Sequence, residues 1–310
     1  MEIVLFFALG IFATLIKSDL EIPDQISKAL SIFLLLSIGL KGGHELGLAD
    51  NLSGFLPLIT IGLGSCVAIP IIYFFLFKNR LGQNNAGALA ASYGSVSAVT
   101  FITAQSVLES QGIIFSGYMV ATMALMEIPA IIMGIFLYQK FEKGEKNGNS
   151  FQLFKSVITS KSVVLLIGGF AIGLTMDSAS WAGISTLIQG SFKGILCFFL
   201  LDLGMLAQRQ LKDILKHKLI MLVIAVVMPI IFGSISFVIG YYVGLSSGNL
   251  VLLSVLVGSA SYIAAPAAVK SSIPNANPSL FLGLPLALTF PMNLLFGIPY
   301  YIYLSQLLSI

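Results

Sequence analysis

The sequence predicts an all-α polytopic membrane protein with ten transmembrane helices, arranged as two inverted-topology repeats of five helices each. Three observations lead to this fold class. The 310 residues are 57% hydrophobic and only 9% charged, whereas a typical soluble domain carries about 25% charged residues. The Lys and Arg residues fall almost entirely on one side of the predicted spans. Similar segments also recur at a nearly constant offset in the two halves of the chain.

Ten apolar stretches fit the pattern of membrane spans, and most are long enough to cross a hydrocarbon core of about 30 Å. The first, second and sixth are short, so we expect tilt or local thinning of the bilayer around them. The first stretch lacks a small-x-small cleavage site, which favours a membrane helix, with a cleaved signal peptide as the alternative. The predicted spans are 3–17, 26–41, 55–77, 85–108, 116–138, 162–176, 181–206, 218–243, 249–269 and 279–305.

The charge distribution predicts the orientation of these spans. With the amino terminus outside, every Lys and Arg except Lys41 and Lys193 falls in a cytoplasmic segment, as the positive-inside rule requires. We therefore expect a multi-pass protein of the cell inner membrane with both termini on the periplasmic side. The polar linker 139–161 is then cytoplasmic, and it separates a first repeat (1–138) from a second (162–310).

Internal similarity supports this division. "KALSIFLLLSIGL" (Lys28–Leu40) aligns with "KGILCFFLLDLGM" (Lys193–Met205) at an offset of 165 residues, and "YGSVS" meets "VGSAS" at nearly the same offset. Five spans per half is an odd number, so the second half enters the membrane from the opposite side, a construction typical of secondary transporters. Chance similarity between apolar segments is the alternative.

The two Gly-Ser clusters predict discontinuous helices in spans four and nine. Gly and Ser are weak helix formers, and Ser hydroxyls compete for backbone hydrogen bonds. A helix broken inside the membrane leaves N–H and C=O groups that protein or water must satisfy. Exposed N–H groups with hydroxyls suit a small anion, whereas C=O groups with hydroxyls suit Na⁺. Close packing of helices through small residues is the alternative.

Charged groups inside the predicted spans are further candidates. Glu127 lies in an apolar span beside Pro129, where a carboxylate is costly and typically functional, as a ligand for Na⁺ or as a proton carrier. A structural position near a helix end or a vestibule is the alternative. Asp202 is a second candidate of this kind. Cys66 and Cys197 lie in apolar segments and are predicted to be small hydrophobes, not a disulfide or a metal-binding pair.

Other classes of function find no support in the sequence. We find no nucleophile–base pair, no metalloprotease motif and no phosphate-binding Gly-rich motif, which argues against an enzyme. The net charge of +3 does not indicate nucleic-acid binding.

The chain resembles the sodium-dependent bicarbonate transporters of cyanobacteria and their wider bacterial family. The segments that carry this resemblance are "LEIPDQISKALSIFLLLSIGLKGG" (Leu20–Gly43), "YGSVSAVTFITA" (Tyr93–Ala104), "LMEIPAI" (Leu125–Ile131) and "IPNANPS" (Ile273–Ser279). The resemblance implies a gate and a core domain, a homotrimer, and Na⁺-coupled uptake of bicarbonate with Na⁺ as the coupling ion. It also implies a PII-like cytoplasmic regulatory protein as a partner. The alternative is a proton-coupled or sodium-coupled transporter of a different small anion.

The resemblance also implies a substrate site between the two broken regions. The substrate-binding residues that it points to are Gly94, Ser95, Ser97, Ala98, Gly258, Ser259, Ser261 and Tyr262. The expected ion-binding residues are Ser97, Thr100, Glu127 and Ser261. Two positions depart from the cyanobacterial members: Ala260 interrupts their richer Ser cluster, and Tyr262 occupies the position of an Asp.

Overall fold

Helices make up most of the described part of the chain, which holds no strand. The computed structural model describes residues 2–48, 54–141, 155, 159, 161–214 and 218–308. In chain order the helices are α1 Glu2–Leu15, α2 Asp24–Gly47, α3 Phe55–Leu81, α4 Gln83–Gly94, α5 Ala98–Ser110, α6 Tyr118–Phe141, α7 Lys161–Thr175, α8 Ser178–Ile214, α9 Leu219–Tyr242, α10 Ser247–Val257, α11 Ala264–Ser272 and α12 Ser279–Leu307.

The helices confirm a polytopic membrane protein. Within the described residues, seven helical stretches are long and apolar enough to cross a bilayer, with α4 and α5 counted together as one. Shorter apolar stretches lie in α1 and α10. A helix occupies each segment where a span is expected. Most of the predicted linker 139–161 lies outside the described residues, so its cytoplasmic position stays a prediction.

The helices α1, α2, α7 and α8 pack against one another, and we call them the first bundle. The contact between α1 and α8 depends on glycine. A Cβ atom on Gly10 would meet the carbonyl oxygen of Leu201, and one on Gly204 would meet the carbonyl oxygen of Phe7. Since small residues let membrane helices approach closely, these glycines bring the two backbones into direct contact.

The contact between α2 and α7 is built in the same way. A Cβ atom on Gly43 would meet the carbonyl oxygen of Phe170, and one on Gly173 would meet that of Leu40. The first and second predicted spans therefore pack on the seventh and sixth through equivalent reciprocal glycine contacts.

The helices α3 to α6 and α9 to α12 form a second bundle. Prolines interrupt the regular hydrogen bonding of several of its helices, because proline lacks the N–H that would bond to residue i−4. A wide π-helical turn at Val223–Val227 leads into Pro229 of α9. Helix α12 contains three such turns, at Ser279–Gly283, Pro285–Thr289 and Asn293–Gly297. These irregular helices surround the two helix breaks described next.

Candidate functional site

The first helix break separates α4 from α5 at Ser95–Ser97. Ser95 and Ser97 have extended backbones, with ψ angles of 166° and 109°, and both are buried. The Ser97 hydroxyl oxygen caps α5 by accepting hydrogen bonds from the Thr100 N–H (3.1 Å) and the Thr100 hydroxyl (2.8 Å). Serine is among the preferred N-cap residues, which explains why the chain restarts as a helix at Ala98.

The second break separates α10 from α11 at Gly258–Ile263. The Ser261 hydroxyl oxygen accepts a hydrogen bond from the Ala265 N–H (3.1 Å) at the start of α11. At the end of α10, the side-chain amide of Asn293 donates to the carbonyl oxygen of Gly258 (2.8 Å). Pro266 follows in the first turn of α11, where a missing N–H costs little. Both ends of this break are thus satisfied by side chains of the second bundle.

The two breaks contact each other directly, although they are far apart in the sequence. The Ser97 N–H donates to the Ser259 hydroxyl oxygen at 2.9 Å. The Ser261 N–H donates to the carbonyl oxygen of Ser92, at the end of α4, at 2.8 Å. Each break therefore supplies a partner for a backbone group that the other break leaves without one.

A small cavity lies where the two breaks meet, at the junction of the two bundles. Its volume is about 10 Å³, which is close to the least that holds one water molecule. Leu35 of α2 lines it from the first bundle. From the second bundle come Val96, Ser97, Ala98, Glu127, Ser261, Tyr262 and Ile263.

Two polar atoms of the cavity lining lack a hydrogen-bond partner within the described residues, namely Oε2 of Glu127 and the hydroxyl of Tyr262. Both side chains are buried, at 4% and 6% exposure. The Tyr262 hydroxyl lies beside Ser97 without good hydrogen-bond geometry. Leaving a buried polar atom without a hydrogen bond costs free energy, so a ligand that pairs with these two atoms would remove that cost.

The electrostatics of the cavity suit ions of both signs. Ala98 and Ile263 line it and stand at the amino-terminal ends of α5 and α11. The amino-terminal end of a helix carries a partial positive charge and unpaired N–H groups, which favour an anion. The carboxylate of Glu127 and the hydroxyl oxygens of Ser97 and Ser261 are hard oxygen donors, which favour a cation.

The comparison with known families agrees with this arrangement. A family model described as the Na⁺-dependent bicarbonate transporter superfamily matches residues 2–306. The chain belongs to this superfamily. The match spans almost the whole sequence, and it confirms the resemblance carried by the motifs. None of the curated proteins compared with the chain matches it.

Membership of the Na⁺-dependent bicarbonate transporter superfamily makes this chain a transporter-family protein and not an enzyme. The superfamily name also supplies the two ions, Na⁺ and bicarbonate, whose charges the cavity suits. The site residues themselves are placed by the geometry, since the family match assigns no role to any side chain.

The structure divides the expected substrate-binding and ion-binding residues into three sets. Those that line the cavity are Ser97, Ala98, Glu127, Ser261 and Tyr262. Those that support the lining through hydrogen bonds are Ser95, which donates to the Glu127 carbonyl, together with Thr100 and Ser259. Gly94 and Gly258 serve close packing. A Cβ atom on Gly94 would press on the Pro70 ring, and one on Gly258 would lie 2.9 Å from the carbonyl oxygen of Pro229.

Sequence reasoning missed some of the residues that build the site. Leu35 lines the cavity from the first bundle, and nothing in its apolar surroundings marks it. The pairing of Gly94 with Pro70 and of Gly258 with Pro229 was also missed. The spacing carries no shared signal, since Pro70 precedes Gly94 by 24 residues and Pro229 precedes Gly258 by 29.

Proposed function

We propose that the protein is a sodium-coupled symporter of a small inorganic anion, most simply bicarbonate, which works by alternating access around the cavity between the two helix breaks. The observation that carries this proposal is the hydrogen bond from the Ser97 N–H to the Ser259 hydroxyl oxygen at 2.9 Å. It brings two separate helix breaks together beside one cavity. The superfamily match supports the choice of ions.

The anion would lie against the amino-terminal ends of α5 and α11. The first N–H groups of a helix have no partner within it, so those of Ala98 and Val99 are suited to an oxyanion. The Tyr262 hydroxyl, which lacks a partner within the described residues, would add a third donor. Bicarbonate offers three oxygen atoms to such donors.

Sodium would bind through oxygen atoms around the first break. The hydroxyl oxygens of Ser97, Thr100 and Ser261 and the carboxylate of Glu127 are the ligands that we propose. A negative carboxylate beside the anion would repel it, so a cation held between the two charges stabilises both. This mutual stabilisation is the physical basis of coupling, because each ion raises the affinity for the other.

The size of the cavity supports alternating access. A volume of about 10 Å³ accommodates a water-sized particle but not bicarbonate, so the lining must separate before the anion binds. Among the described lining residues, Leu35 comes from the first bundle and the others belong to the second. A movement of one bundle against the other would therefore open the cavity.

Inverted repeats would supply the symmetry for such a movement. We propose repeats 1–138 and 162–310, each with five transmembrane helices. The reciprocal glycine contacts of α1 with α8 and of α2 with α7 support them. The positive-inside rule supports periplasmic termini in a cell inner membrane. A homotrimer and a PII-like partner are proposals that rest on the family resemblance.

Proton coupling is the second candidate, and one observation favours it. Oε2 of Glu127 is buried and lacks a hydrogen-bond partner within the described residues. A proton neutralises a buried carboxylate as Na⁺ does, so Glu127 would be the group that carries the proton. The anion could then differ from bicarbonate.

Uptake into proteoliposomes separates the two candidates. Labelled bicarbonate uptake is measured over protein-free liposomes at clamped membrane potential, with either a Na⁺ gradient at equal pH or a pH gradient without Na⁺. Sodium symport predicts uptake in the first condition and none in the second. Proton coupling predicts the reverse, and it predicts that Glu127→Gln abolishes uptake. Absence of uptake in both conditions, by protein that remains folded, would contradict bicarbonate as the substrate.

A further inference from the structure

A second and larger cavity lies between the two bundles. Its volume is about 430 Å³, within the range of typical small-molecule sites. Helices α2 and α8 form the side contributed by the first bundle, and α5 and α6 form the opposite side. The lining residues are Ser37, Ile38, Lys41, Gln105, Ser106, Glu109, Ser110, Val120, Ile188, Phe192 and Lys193.

Charged groups from both bundles meet in this cavity. The Lys41 ammonium forms a salt bridge with the Glu109 carboxylate, which joins α2 to α5. Both side chains are partly exposed, at 31% and 48%, so the pair is open to exchange with other ions. Lys193 of α8 adds a second ammonium group to the lining. The described lining therefore carries one more positive than negative charge.

The larger cavity lies close to the helix breaks along two helices. On α2, Leu35 lines the small cavity and Lys41 lines the larger one, a separation of about 9 Å at 1.5 Å per residue. On α5, Ala98 lines the small cavity and Gln105 the larger one, which corresponds to about 10 Å. An anion in the larger cavity would thus lie roughly two helical turns from the proposed site.

The position of the lysines in the membrane is also informative. Lys41 and Lys193 are the two cations that the charge distribution leaves outside the cytoplasmic segments. Lys193 lies well inside α8, where a charged side chain is costly and usually faces a polar cavity with a function. Under the predicted orientation, both lysines lie on the periplasmic side of the helix breaks.

We propose that this cavity is a capture site for a small monovalent oxyanion, bound by Lys41 and Lys193 before the anion reaches the helix breaks. The Glu109 carboxylate is itself a planar oxyanion paired with the Lys41 ammonium group. The incoming anion therefore replaces this carboxylate beside Lys41. Gln105 and Ser106 offer further hydrogen-bond donors to the same anion. This proposal rests on the proposed function, because it adds an access step to the transport of an anion.

Reaction of a cysteine placed in the cavity tests the capture site without measuring transport. In purified full-length Ser106→Cys protein, we would compare the reaction rates of a negatively charged and a positively charged methanethiosulfonate reagent. The same two reaction rates are then compared in Ser106→Cys protein that also carries Lys41→Gln and Lys193→Gln. Gln111→Cys, exposed just beyond α5, is the control outside the cavity. The unmodified chain, whose Cys66 and Cys197 are buried, gives the background.

We expect the rate of the negatively charged reagent, divided by that of the positively charged one, to be about tenfold higher at Ser106→Cys than at Gln111→Cys, because the excess positive charge of the cavity lining concentrates anions. The two Lys→Gln changes should remove this preference, Glu109→Gln should increase it, and bicarbonate should slow the reaction at Ser106→Cys. A preference that survives loss of both lysines, or a rate that no small oxyanion slows, would overturn the capture site. If nitrate but not bicarbonate slows the reaction at Ser106→Cys, and the protein takes up no bicarbonate, the capture site is upheld and only bicarbonate as the substrate is contradicted.

Discussion

The backbone N–H of Ser97 donates a 2.9 Å hydrogen bond to the hydroxyl oxygen of Ser259. Together with the bond from the Ser261 N–H to the Ser92 carbonyl oxygen, it joins the two helix breaks across the halves of the chain. The Ser259 hydroxyl in turn donates to the carbonyl oxygen of Leu256 in its own helix (2.7 Å). The Ser259 side chain therefore ties the first break to the end of α10.

Replacing Ser259 should affect stability and transport together. Ser259→Ala leaves the buried Ser97 N–H without its acceptor, which costs about 1–3 kcal/mol of the free energy of unfolding. Uptake of bicarbonate should also fall, because the breaks lose their alignment. Ser236→Ala is the control, since the Ser236 hydroxyl is buried and, among the described residues, bonds only to Gly233 in its own helix. Equal effects of the two substitutions on both measurements would contradict a special role for Ser259.

Thr100 should influence the affinity for Na⁺ more than the stability of the fold. Thr100→Val removes the hydroxyl that donates to Ser97 (2.8 Å) and is a proposed Na⁺ ligand, while the capping bond from the Thr100 N–H remains. We expect the Na⁺ concentration for half-maximal uptake to rise about tenfold, equivalent to about 1.4 kcal/mol.

The chain offers a matched control one turn further along α5. The Thr103 hydroxyl is equally buried, but within the described part of the chain it bonds only to the Val99 carbonyl of its own helix. Thr103→Val should leave the Na⁺ dependence within about twofold of the wild type. The same shift in both variants would show that Thr100 acts through packing rather than as an ion ligand.

Gly94 is required by close packing at the end of α4. A Cβ atom there would press on the Pro70 ring and approach the Ala130 side chain at 3.2 Å, so Gly94→Ala should lower the free energy of unfolding by about 1–3 kcal/mol. Gly64→Ala on α3, where a Cβ would meet nothing within 4 Å, should be neutral or stabilising. Chemical denaturation in detergent compares the two, and a neutral Gly94→Ala would show that the helices adjust freely.

The carboxylate of Asp177 should make a contribution to the stability of the fold that depends on pH. Its carboxylate accepts a hydrogen bond of 2.7 Å from the Ser180 N–H at the start of α8, and hydrogen bonds from the Ser180 backbone and side chain lower the pKa of Asp177 below its usual 3.8. A lowered pKa in the folded state stabilises the fold above the unfolded-state pKa, and this stabilisation disappears as the pH falls through the folded-state pKa.

Asp177→Ala should therefore lower the unfolding temperature at neutral pH and have a progressively smaller effect as the solution is acidified toward about pH 2. Asp177→Asn retains a capping oxygen without the titrating group, so it should lose less stability at neutral pH. A difference between wild type and Asp177→Ala that stays constant across this pH range would contradict the capping role of the carboxylate.

The sequence was sufficient to locate the helices and both breaks. Long apolar stretches fix where the helices run, and the Gly-Ser clusters at Gly94 and Gly258 weaken the helix locally, so both features follow from short-range chemistry. Of the residues singled out in the sequence, Ser97, Ala98, Glu127, Ser261 and Tyr262 line one cavity. These residues come together because serines that cap a helix lie beside the N–H and C=O groups that a helix break exposes.

Contacts between distant segments could not be read from the sequence. Nothing in the local pattern shows that Ser259 accepts from Ser97, or that Leu35 reaches the cavity from the first bundle. The salt bridge between Lys41 and Glu109 was hidden for the same reason. These contacts arise from the way the two bundles pack. A single sequence of apolar helices is compatible with many such packings, so it does not show which one forms.

The proposed site between the helix breaks is tested most directly by filling its cavity. Na⁺-driven uptake of labelled bicarbonate is measured in proteoliposomes that contain wild type, Ser97→Leu or Ser65→Leu, the last being a control on α3 away from the cavity. Because the cavity is only about 10 Å³, we expect Ser97→Leu to reduce uptake at least tenfold and Ser65→Leu to leave it near the wild-type rate. Wild-type uptake by folded Ser97→Leu protein would contradict a binding site at the meeting point of the two helix breaks.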